Sequence, residues 1–245
     1  MHISGSGHIP AGEYNEKISV SGSGKLDGNV RCTAFSGSGS ARCAGSLECT
    51  EDVRVSGSAH VDGNVTANAL SVSGSAHIGG DLTVKDSAKI AGAASVGGAV
   101  KASVLHCAGV LRAEKGIEAE EFRSAGAIHC GGLLNAETVD ISMDGHAHST
   151  VGSIGGGEIR VYLKKNGKPQ KRRLPLLSRL LGGADASLTV NELIEGDVIA
   201  LECVKVPTVV GRVVAIGAGC AVELVQYSEE LEVDPDAKVE RYEKI

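Results

Sequence analysis

The sequence predicts an all-β solenoid: a parallel β-helix of triangular section with about 17–18 residues per turn. Three observations carry this. First, Val55-Ser56-Gly57-Ser58-Ala59-His60-Val61-Asp62-Gly63-Asn64-Val65 recurs 17 residues later as Val72-Ser73-Gly74-Ser75-Ala76-His77-Ile78-Gly79-Gly80-Asp81-Leu82, with a weaker copy from Ile90. Second, apolar residues inside the copies keep a beat of six, at Ile78, Val84, Ile90 and Val96, so three short sides make one turn. Third, Trp is absent and only 2 Phe and 4 Tyr occur among 245 residues, against 34 Gly. A core repeated layer after layer takes Val, Ile, Leu, Ala and Cys, where an ordinary globular core leans on aromatic rings.

Residues 1–160 hold the N-terminal turns. Ile3-Ser4-Gly5-Ser6-Gly7 is a degenerate opening copy, interrupted by Pro10 and Tyr14. Strict repeats run from Val20 through Leu26 to Cys32. Phe35 opens the next turn. Counting 20 residues from it to Val55 predicts a small bulge near residues 48–52. Strand pieces such as Val53-Arg54-Val55 and Leu70-Ser71-Val72 alternate inward and outward. Gly and Asn at the corners are expected to supply positive φ. Stacking in register would place His60 over His77 and bring Asp27, Asp62 and Gly79 into one column. Later copies drift: Ala127-Ile128-His129-Cys130-Gly131-Gly132-Leu133-Leu134 aligns with residues 75–82.

Residues 161–185 differ. Lys164, Lys165, Lys168, Lys171, Arg172, Arg173 and Arg179 occur there without an acid before Ala184, beside the apolar Leu176, Leu177 and Leu180. This predicts a basic loop with a short amphipathic turn. It is the best candidate for contact with an anionic membrane or a partner protein. Residues 186–245 resume the beat, with Ile216 matching Val233, and end in a charged cap. From residue 185 onward the chain carries 13 acids against 5 bases. About a dozen turns make a rod on the order of 60 Å.

The net charge of −6 and pI near 5.8 argue against a nucleic-acid partner. No charged-then-apolar leader opens the sequence, and no apolar run reaches the roughly 18 residues of a spanning helix. The expected location is cytoplasmic, or peripheral at the inner face of the membrane. Seven Cys without a CxxC pair are expected as buried, reduced core thiols. No cofactor, metal or catalytic residue is expected. Asp144-Gly145-His146-Ala147-His148 with His129-Cys130 is the nearest approach to a ligand set, and the expectation there is a polar corner.

The repeated Ser-Gly-Ser-Ala turns, with the closing Gly196-Asp197-Val198-Ile199-Ala200-Leu201-Glu202 and Ile216-Gly217-Ala218-Gly219-Cys220, resemble the bactofilins. That resemblance implies a right-handed β-helix and end-to-end, nucleotide-independent, non-polar filaments. It also implies a scaffold for envelope or morphogenetic proteins, with the chain itself as the principal partner. Ile3, Ile18 and Val20 at one end, and Leu231, Val233 and Val239 at the other, are the expected polymerisation contacts. The alternative is a trimeric hexapeptide-repeat acyltransferase with a left-handed β-helix and a His base, suggested by Val61-Asp62-Gly63-Asn64-Val65-Thr66 and its copies. His60 and His77 at equivalent positions favour a structural ladder over a catalytic base.

Overall fold

The structure, a computed structural model, describes residues 1–143, 148–164 and 188–245. Within them every regular element is a strand, from β1 (His2–Ile3) to β27 (Lys238–Lys244). One turn shows the plan. The strands β4 (Ile18–Val20), β5 (Ser23–Leu26) and β6 (Val30–Cys32) form three sides, with alternate residues buried. Their counterparts β7 (Phe35–Gly37), β8 (Ser40–Cys43) and β9 (Leu47–Cys49) lie parallel and in register. Thus Phe35 lies opposite Ile18, Cys43 opposite Leu26, and Cys49 opposite Cys32.

The same register continues along the whole solenoid. On the first side one column reads Ile3, Val20, Gly37, Val55, Val72, Ile90, Cys107, Ser124, Ile141, Val161, Leu201, Ile216 and Val233. The stack has about 13 turns. It is continuous across residues 165–187: β22 (Ser149–Leu163) pairs directly with β23 (Leu188–Val190) and β24 (Leu193–Leu201). Val161, where the sequence suggested a break, is buried opposite Leu201, and the strand runs on to Leu163.

Two expectations are corrected. The turn that begins at Phe35 closes opposite Val53, while Val55 faces Gly37. The count to Val55 was therefore two residues too long, yet an extra residue does lie near 48–52: three residues separate Cys49 from Val53 where two separate their partners Cys32 and Phe35, at the corner between β9 and β10 (Asp52–Val55). Further irregularities lie between Cys130 and Leu133 and between Gly211 and Val213.

The corner glycines also serve a different purpose from the expected one. Among the described residues only Gly12 and Gly219 have positive φ, joined by Cys203 at 54°. Gly22, Gly39, Gly57, Gly74, Gly92, Gly109 and Gly126 are instead required by close approach. A Cβ on Gly57 would sit 2.1 Å from the Gly39 carbonyl oxygen, and one on Gly74 would sit 2.0 Å from that of Gly57. Gly5, with no layer beyond it, has open space.

The next corner carries a polar ladder. Ser46 N donates to Asn29 Oδ1 (2.9 Å), Asn64 N to Ser46 Oγ (3.1 Å), Asp81 N to Asn64 Oδ1 (2.9 Å) and Ala99 N to Asp81 Oδ1 (2.9 Å). Each side chain caps a backbone donor one layer on, 17 or 18 residues away. Glycines 45, 63, 80 and 98 leave the room, since a Cβ at Gly80 would lie 2.0 Å from Asn64 Oδ1.

Both Phe residues fit by local compensation. Phe35 and Phe122 occupy one inward column, and the neighbouring inward position in each layer is small: Gly37 and Ser124. A Cβ on Gly37 would already meet the Phe35 ring at 3.3 Å. The buried Ser124 hydroxyl is satisfied by Gly126 O and N.

Two mutations test this account. Gly57→Ala should lower stability by at least about 2 kcal/mol in urea unfolding, whereas Gly5→Ala should stay within about 0.5 kcal/mol of the parent. Asn64→Ala should cost about 1–2 kcal/mol by orphaning the Asp81 amide, and Asn64→Asp, which keeps the acceptor, should restore most of it.

Candidate polymerisation ends

A β-helix has two places where its layers run out. At each, inward side chains lack a neighbour and the outer edges of the strands are open to pairing. At the N-terminal end the first layer is tied across itself. The Met1 ammonium bonds Glu16 and the Lys17 carbonyl, and Tyr14 Oη donates to Pro10 O at 2.8 Å. Ile9 is buried, while Ile3 and Tyr14 are half-buried against the core. Ile3 lies in this first layer. Ile18 and Val20 do not. They are 0% and 1% exposed because residues 1–14 form a full layer over them, with His2 opposite Ser19 and Ile3 opposite Val20. The degenerate opening copy is the first turn, as the sequence reading had it, and it covers these two residues.

The C-terminal end is more open. Leu231, Val233, Val239 and Tyr242 lie opposite Val214, Ile216, Val222 and Val225, all of which are buried. They continue the inward columns, and among the described residues no strand pairs beyond them. Val233 is 38% exposed, Tyr242 64% and the terminal Ile245 66%. Leu231 and Val239 are half-buried against the core. The sequence reading did not single out Tyr242, because it took the charges around it as a cap. Those charges face outward, where Arg241 pairs with Glu243 at 3.2 Å. The alternation of apolar Tyr242 with Arg241 and Glu243 was the signal.

Along the outer face of the second side, His8, Lys25, Arg42, His60 and His77 form one column. The His60 and His77 rings stack at 4.6 Å and 17°. Asp27 and Asp62 neutralise the cations at the corner, in one column with Gly79 as the register implied. The Lys25 hydrogen bond, followed by His8, holds the Asp27 carboxyl below its usual range. Burial pushes Asp62 upward, but His60 and Arg42 outweigh it and leave it lowered. This is a structural ladder, and the two rings occupy equivalent places in it.

His129 and Cys130 are consecutive on β21 (Ala127–Met143), so one faces out and the other in. His129 Nδ1 lies 3.0 Å from Thr150 Oγ1, and the buried Cys130 thiol bonds the Gly132 carbonyl. They cannot share a ligand. Asp144, Gly145, His146 and Ala147 lie outside the described residues, and no three His, Cys, Asp or Glu side chains among the described residues converge.

Of the basic stretch, Lys164 is described. Its side chain is exposed and its amide donates to Met143 O at 2.7 Å. Lys165, Lys168, Lys171, Arg172, Arg173, Leu176, Leu177, Arg179 and Leu180 lie outside the described residues. Among the described residues no helix is long and apolar enough to cross a membrane.

Comparison with known proteins finds a family likeness in the first third of the chain. Residues 1–83 match the model for bactofilin, described as polymer-forming and cytoskeletal. Two proteins of Bacillus subtilis (strain 168) are similar. One, named uncharacterized protein YhbE, is 50% identical over 54 residues, which is 22% of this chain and 23% of that protein. The other, uncharacterized protein YhbF, is 32% identical over 100 residues, 41% of this chain and 37% of that protein. The chain thus spans about a quarter to a third of the curated relatives it matches. No solved structure matches it. Over its first 83 residues, a third of its length, the chain is similar to the bactofilins, a family described as polymer-forming and cytoskeletal.

Proposed function

We propose that this chain is a structural protein whose rods join end to end into filaments, without nucleotide, as a scaffold for envelope or morphogenetic partners. The observation that carries the reading is the uncovered C-terminal layer, where Val233 and Tyr242 are exposed at the end of the buried columns. A second end laid against it would bury these side chains, each worth about 1.5–3 kcal/mol when fully covered. It would also continue the strand ladders across the junction. The polymer-forming description of the matching family supports the same reading. Ile3 is the matching contact at the opposite end, and Leu231 and Val239 flank the exposed group.

Paired substitution Val233→Asp and Tyr242→Asp should raise the protein concentration needed for pelleting at least tenfold, read by ultracentrifugation and circular dichroism. Unchanged pelleting with intact β signal would exclude this end as the junction. Val20→Asp should instead damage the folded state, since that residue is buried.

In such a filament the basic stretch at 164–179 would recur along the polymer. Each Lys or Arg near an anionic surface contributes about 1 kcal/mol, and the repeat multiplies a weak contact. We assign it to an anionic membrane surface, which places the filament at the inner face of the membrane. Co-sedimentation with anionic vesicles should fall at least tenfold when Lys171, Arg172 and Arg173 become Glu. Equal binding to neutral vesicles would overturn the assignment.

A further inference from the structure

The seven cysteines are not equivalent. Cys43, Cys130 and Cys220 are buried and bond backbone carbonyls of Gly28, Gly132 and Leu201. Burial pushes Cys107 and Cys220 up to about 11. Cys32 and Cys49 differ. They are opposed in register on β6 and β9, both buried, with their Sγ atoms 3.4 Å apart.

We propose that Cys32 and Cys49 form an oxidation site that a small peroxide closes to an intramolecular disulfide. Adjacent in-register strands lie about 4.8 Å apart, inside the range of roughly 4.4–6.8 Å that a disulfide spans between Cα atoms. Bonding requires the sulfurs to close by about 1.4 Å, within reach of side-chain rotation. The hydrogen bond from the Cys49 thiol favours the Cys32 thiolate, as does the N-terminal ammonium, against the opposing effect of burial. Cys49 is held in the thiol form by the same contact and by burial. Cys32, one layer nearer the N-terminal end, is the attacking sulfur.

The step balances. Cys32 releases its proton and attacks one peroxide oxygen; the O–O bond breaks, leaving a sulfenic acid, and the departing hydroxide takes the proton as water. Cys49 sulfur then attacks Cys32 sulfur, the S–O bond breaks, and the second hydroxide takes the Cys49 proton. Two thiols and one peroxide give one disulfide and two waters. Access comes from the end of the rod. Cys32 lies directly beneath Tyr14 of the first layer, and terminal layers open at lower free energy than the middle of a stack. The cross-link would staple the second and third turns across a separation of 17 residues. It stands independently of the filament reading.

The test treats the full chain with one equivalent of hydrogen peroxide, alkylates the remaining thiols and maps peptides without reductant. Trypsin cleavage after Arg31, Arg42 and Arg54 puts Cys32 in peptide 32–42 and Cys49 in peptide 43–54, which also contains Cys43. The expected result is a 32–42/43–54 cross-link in the parent and in Cys43→Ala, absent from Cys49→Ser. It should be accompanied by a melting midpoint raised by roughly 5–10 °C that reductant reverses. No cross-link in Cys43→Ala with oxidation found at the half-exposed Cys203, or Cys32 driven to a sulfinic acid without a link, would overturn the proposal.

Discussion

The structure depends on how closely one turn lies on the next at its corners. At the Ser-Gly corner, Ser58 N donates to the Gly39 carbonyl at 2.9 Å, and Gly57 N to that of Gly37 at 3.1 Å. The same oxygen of Gly39 occupies the space that a Cβ on Gly57 would need. A side chain there would lift the corner away from the layer below and pull the ladders of the two adjoining sides apart. Glycine is required by contact between backbones, and its freedom in φ is incidental. At the neighbouring corner the Asn29, Ser46, Asn64 and Asp81 ladder fixes the same spacing from the polar side.

Once the corners fix the layer height, the interior is fixed too. Inward side chains lie opposite their own equivalents, so the section cannot widen in one layer without disturbing the next. The two rings that occur, Phe35 and Phe122, are admitted only beside Gly37 and Ser124. Cysteine serves as another small core residue at most of its positions. Conserving total volume within a layer explains how a core nearly without aromatics still packs.

Much of this was legible in the sequence because a period of 17 or 18 residues is a direct statement of layer height. The His60 and His77 stack, the Leu82–Leu134 column and the pairing of Ile216 with Val233 followed from counting residues. Counting failed where like residues occur twice in one side. Val53 and Val55 are both buried, so Phe35 could be matched to either, and only the ladder picks Val53. The N-terminal end was misjudged because residues 1–14 match the repeat poorly, although they complete a layer and bury Ile18 and Val20. At the C-terminus, charge obscured the alternation that places Tyr242 over Val225. The reason for the corner glycines was hidden because the sequence shows which residue is absent a side chain, but not which atom fills that space.

In the proposed filament the open C-terminal layer of one molecule would meet the N-terminal layer of the next. The most direct measurement is fibre diffraction from oriented, pelleted protein prepared without nucleotide. The account predicts a reflection near 4.8 Å on the meridian, along the filament axis, because coaxial rods continue the strand spacing from one molecule into the next. The same reflection on the equator, or a pellet of unoriented short rods, would mean that these ends do not join and that assembly runs through the sides.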